Sequence, residues 1–240
     1  RGKGRWKMWG VPKWVRLVTI ASLALLAFGP RTDAQTPPSA EIYIEFVSGG
    51  FIVGAGVQLE IDETALGTNA GLYIGSAGTI SYSFGAGSRI FGTGQLQFSL
   101  GSAYNLPADP VLDCPVLFRP RFGSQTVTIP DGRVFGAEVR TYGIGSGTSI
   151  TFAGSASIGG DLVAEPSGSG TQNYTFTTPG STLTIGGALR YVGTSGTFNF
   201  NATNVGLTVA CGGIALTSTA GTCTINIGTG TWSVDGGIDL

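Results

Sequence analysis

The sequence predicts an all-β fold, with a parallel β-helix or solenoid in its C-terminal half. Three observations predict it. Glycine makes up 41 of 240 residues and charged residues only 11%, against usual shares of about 7% and 25%. Short alternating apolar–polar runs recur, bounded by Gly, Ser, Asn and Asp, which is strand-and-turn texture. Gly pairs recur at 159, 186, 212 and 236, and a fixed period of this size points to stacked units. An antiparallel β-sandwich or barrel is the alternative that alternation alone also allows. Glycine lacks a three-residue period, which excludes collagen. An apolar share of 42% excludes a disordered acidic chain.

Residues 1–35 read as an address. Arg1, Lys3, Arg5, Lys7, Lys13 and Arg16 precede a twelve-residue apolar run from Leu17 to Phe28, and small residues follow the Gly29-Pro30 break. Basic, apolar, then small is the order of a secretory signal peptide. The run falls short of the about 20 residues that cross a bilayer. No stable membrane span is therefore expected after cleavage, with an uncleaved anchor as the alternative. A secreted or cell-surface protein follows. From Gln35 onward 13 acids stand against six arginines and no lysine, a net charge of −7. Such a chain repels phosphate backbones, so no nucleic-acid partner is expected.

Residues 36–106 read as an N-terminal β region. Glu41 to Val47 alternates strictly, and Phe51–Val53, Val57–Ile61, Thr79–Phe84 and Gln95–Leu100 follow as further strands. Residues 107–130 hold Pro107, Pro110, Pro115, Pro120 and Pro130. Proline is excluded from central strands, so this stretch reads as a connection. Its Phe118–Phe122 segment, with Arg119 and Arg121, reads as a solvated loop.

Residues 131–240 carry the Gly/Thr-rich repeats. The pairs Gly159–Gly160, Gly186–Gly187, Gly212–Gly213 and Gly236–Gly237 each sit beside an Ile/Val–Leu strand, with second strands between them near Tyr174, Phe198 and Ile225. One coil of a β-helix fits this spacing. Gly would supply positive φ at sharp turns and small size where coils approach at about 4.8 Å. Ile158, Ile185, Leu189, Phe198 and Phe200 are then expected inside.

The stretch Ile225 to Leu240 resembles the Gly/Thr/Asn-rich repeats of bacterial secreted parallel β-helix proteins, of adhesin-like or autotransporter-passenger-like kind. The resemblance covers about residues 147–240. It implies a structural or adhesive role at the cell surface without catalytic activity, and it brings no catalytic, cofactor-binding or metal residues. The last repeat stops at Leu240, so the array is expected to be truncated or covered there by another element.

Catalytic chemistry leaves few openings. With no His, a His-based triad and a His metal ligand are excluded. Three Cys cannot build a four-thiolate zinc site, and no cofactor is expected. Glu60, Asp62 and Glu63 form the densest acidic group and read as a solvated strand end. Asp109 and Asp113 read as turn residues. A carbohydrate-directed β-helix enzyme is an alternative, for which Asp161, Glu165 and Arg190 would meet across adjacent coils. An ice- or surface-binding protein would use Thr-x-Thr pairs: Thr182–Thr184, Thr222–Thr224 and Thr229–Thr231. These do not share one position of each repeat. A filament-forming protein would self-associate through strand edges, donating residues 41–47. The expected partner is thus an extracellular glycan or surface, or a second copy. Cys211 and Cys223 are twelve residues apart and either pair as a disulfide or stay buried as thiols, leaving Cys114 over. Asn173 and Asn201 match the glycosylation pattern, as chance matches do in so Thr-rich a chain.

Overall fold

The computed structural model describes residues 42–45, 50–61, 71–76, 81–100, 103–119, 123–144, 147–193, 195–203, 205–217 and 220–240. The segment 1–35, Asp62, Glu63 and Arg121 lie outside them. Among the described residues there is no helix, and every strand pairing is parallel. The chain is an all-β solenoid.

Each coil passes through three faces. The first two coils run through β1 (Ile42–Glu45), β2 (Gly50–Val53) and β3 (Gln58–Glu60), then β4 (Gly71–Ser76), β5 (Ser81–Phe84) and β6 (Arg89–Phe91). Next come β7 (Gln95–Leu100), β8 (Ala103–Asn105) and β9 (Val111–Asp113), followed by β10 (Val116–Phe118), β11 (Gln125–Ile129) and β12 (Arg133–Phe135). The fifth coil is β13 (Val139–Ile144), β14 (Thr148–Phe152) and β15 (Ala156–Ile158). After β16 (Leu162–Ser167) and β17 (Thr171–Phe176), β18 (Thr182–Tyr191) ends one coil and begins the next. Strand β19 (Thr197–Asn201) leads to β20 (Thr208–Ala215), which bridges two coils in the same way. Strands β21 (Thr222–Asn226), β22 (Trp232–Val234) and β23 (Ile238–Asp239) close the series.

Register makes the coils explicit. Leu72, Leu96, Val116, Val139, Leu162, Leu189, Ile214 and Ile238 pair in one column on the first face, at steps of 20 to 27 residues. The second face is the sheet β8-β11-β14-β17-β19-β21. The third begins at β3 and joins the first through β18 and β20, which turn the corner without breaking the ladder.

Alternation decides what lies inside. Strands β11, β14 and β17 bury every second residue, the period-two signature of a half-buried strand. Ile158, Ile185, Leu189, Phe198 and Phe200 are all within 2% of full burial, as expected. Aromatic rings stack along the interior: Phe152 on Phe176 at 4.8 Å, Phe176 beside Phe200 at 4.9 Å, and Phe200 against Trp232 at 5.1 Å. Such ring pairs add about 0.5–1.5 kcal/mol each beyond the area they bury.

The expected division at residues 106 and 130 is not a structural one. Strands β9, β10 and β11 lie within 107–130 and pair with coils on both sides. Prolines 107, 110, 115 and 130 sit between strands, at corners where no ladder donor is lost.

The Gly pairs share the corner between the third and first faces. None of the eight has positive φ; that conformation belongs to other glycines, such as Gly132, Gly180 and Gly206. The expected turn geometry is therefore replaced by close approach. A β-carbon on Gly159, Gly186 or Gly236 would collide with the carbonyl oxygen of Gly136, Gly159 or Gly212, and one on Gly160 would stand 2.8 Å from the Glu138 amide nitrogen. On Gly212 it would lie 2.9 Å from the Gly187 oxygen, and on Gly187 it would strike Asp161. The corner is looser at Gly213, at 3.2 Å, and open at Gly237.

Candidate functional site

The second face carries an uncharged, aligned array. Its outward positions form one column of Ala103, Thr126, Ser149, Asn173, Asn199 and Thr224. The column beside it is Asn105, Thr128, Thr151, Thr175, Asn201 and Asn226. Rungs repeat at about 4.8 Å, and the two columns stand two residues apart along each strand, about 6.6 Å. Strand alternation forces this: Val127, Ile150, Tyr174 and Phe200 between the columns point inward and are fully buried. Side-chain bonds hold the first column in line. The Asn173 amide donates to Ser149 Oγ at 3.4 Å, and the Asn199 amide donates to Asn173 Oδ1 at 2.9 Å.

Hydroxyls and amides both donate and accept. Without charges, such a face sheds water at far lower cost than an ionic one. It therefore suits a periodic, polar, uncharged surface. Of the Thr pairs named from sequence, Thr222–Thr224 lies on this sheet, while Thr182 and Thr184 lie on the third face and Thr229 and Thr231 in the turn before β22. The array itself was hidden because Ser and Asn replace Thr on several rungs. The readable signal was polar–apolar–polar on every middle strand, with Ser, Thr and Asn counted alike.

The first face carries an ionic groove of about 270 Å³. Arg140 Nε donates to Glu138 Oε1 and its Nη1 to Glu165 Oε2, both at 2.8 Å. Partial burial pulls the Arg140 pKa down, but the two carboxylates outweigh it and the net shift is upward. Arg119, exposed on the groove's rim, lies 4.9 Å over the Tyr142 ring. Arg119 lies outside any strand and is exposed, in keeping with the loop reading. Of the residues expected to meet across coils, Asp161 and Arg190 do so at 3.1 Å. Glu165 is taken by Arg140 instead. Asp161 also accepts the Ala188 amide at 2.8 Å. Asp113, at the end of β9, pairs with Arg89 at 2.6 Å.

Cys211 and Cys223 are free thiols, as is Cys114. The disulfide alternative fails on topology. Cys211 sits on the third face between Ile185 and Val234, whereas Cys223 sits on the second beside Phe198. Among the described residues no cluster of His, Cys, Asp and Glu is arranged to hold a metal ion. No described helix is long and apolar enough to cross a membrane. No family model matches the chain, and neither a curated protein nor a solved structure matches it.

Proposed function

We propose that this chain is a non-catalytic, adhesion-type structural repeat protein of the cell exterior. It lays the array of its second face on an ordered polar surface, a crystalline glycan being the best chemical fit. One observation carries this: two uncharged columns, all Thr, Ser or Asn except for Ala103, keep register over six rungs. The basic–apolar–small order of residues 1–35 supports an extracytoplasmic site. The engagement of both groove carboxylates by Arg140 supports binding over catalysis.

The test is co-sedimentation of the full chain with crystalline cellulose, chitin and growing ice. Retention by a glycan is expected, with about tenfold loss, or 1.4 kcal/mol, on replacing Thr151 and Thr175 by Arg. Retention by ice alone would transfer the reading to ordered water. Indifference of all three solids to the wild-type chain would end it.

A further inference from the structure

We infer that the ionic groove on the first face binds a carboxylate carried on a sugar ring. The site is separate from the second-face array and does not rest on it. Among the described residues, Arg119 has no carboxylate partner, whereas Arg89 and Arg190 have one each and Arg140 has two. Its guanidinium carbon lies over the Tyr142 ring, 4.9 Å from the centroid, and an edge of its fork meets no carboxylate among the described residues. That edge matches a carboxylate with two parallel hydrogen bonds.

The rest of the groove narrows the ligand. Arg140 occupies one oxygen of Glu138 and one of Glu165. The other oxygen of each accepts no hydrogen bond among the described residues, so both are open to hydroxyl donors. Gln95 adds an amide and Leu117 an apolar floor. A phosphate dianion would bring twice the charge of a carboxylate against Glu138 and Glu165. A cationic ligand would meet Arg119 and Arg140. An apolar ligand would leave the fork and both oxygens without partners after desolvation. A ring bearing one carboxylate and several hydroxyls satisfies all of them. The volume, about 270 Å³, lies just under the range of about 300–1,000 Å³ for larger ligand sites, and fits one ring rather than a chain segment. Two sources share this chemistry: a uronic acid inside a polysaccharide and a sialic acid at a chain end.

The experiment is calorimetric titration of the full chain with a glucuronic-acid disaccharide, with sialyllactose, and with lactose as the neutral control. At least one acid is expected to bind about tenfold or more tighter than lactose, and the acid that binds identifies the source. Arg119→Ala is expected to cost about tenfold, and Arg119→Lys to restore part, since lysine keeps charge without the fork. Circular dichroism of each variant checks that it is folded, and Val134→Thr, at an exposed position of the third face, serves as a folded control with unchanged affinity. Absence of binding by both acids, equal affinity for lactose, or full affinity in folded Arg119→Ala overturns the proposal.

Discussion

Gly186 sits directly over Gly159 at the corner between the third and first faces, so close that a β-carbon on Gly186 would collide with the Gly159 carbonyl oxygen. The obstacle is backbone in a ladder, which moves only with the whole coil. Gly186→Ala is therefore expected to destabilise by about 1–3 kcal/mol, the usual cost of overpacking. Gly237→Ala, at the same corner with nothing within 4 Å, is expected to stay within about 0.5 kcal/mol. Urea unfolding of both variants checks this. Equal midpoints would remove close approach as the reason for the glycine column.

That column was readable in the sequence because backbone contact tolerates only one residue type. The interior was readable too, since Ile158, Leu189 and Phe198 alternate with polar neighbours. The number of coils was not, because steps of 20 to 27 residues blur any fixed period, and the one early Gly pair, Gly49–Gly50, ends on the first residue of β2 and is out of step with the later four. The proline cluster misled because several prolines fall at corners, where a missing donor costs nothing. The array escaped because hydroxyl and amide side chains substitute for one another on a solvent face. The groove depends on Arg119, Arg140 and Glu165, which are brought together from three successive coils. No local pattern announces such a set.

The cysteines show the same limit and give a direct test. Twelve residues separate Cys211 from Cys223, the spacing of a hairpin pair, but the chain turns a corner between them and delivers them to different sheets. Chain unfolded without reductant is expected to titrate three thiols. In the folded chain Cys223, half-buried, is expected to react first, ahead of Cys114 and Cys211, which are 0% and 3% exposed. A count of one thiol in the unfolded, unreduced chain would restore the disulfide.

Cys114 also links stability to pH. Burial, aided by the nearby Asp113 charge and opposed by a backbone hydrogen bond from Leu96, pushes its thiol from 9.0 up to about 12. The folded state therefore holds its proton where the unfolded chain has lost it. Stability from this group is complete below pH 9 and is lost as pH climbs toward 12, amounting to about 1.4 kcal/mol by pH 10. Burial raises Cys211, Cys223 and Tyr174 as well, so the decline is shared. Arg133, lowered by burial to about 10, has the opposite sign but acts only above that pH. The interval from pH 8.5 to 10 thus reports mainly the thiols. Over it, Cys114→Ala is expected to show a shallower fall in urea midpoint than the wild-type chain, whatever its starting stability. Parallel slopes would mean that the Cys114 thiol ionises in the folded coil as freely as in the unfolded chain.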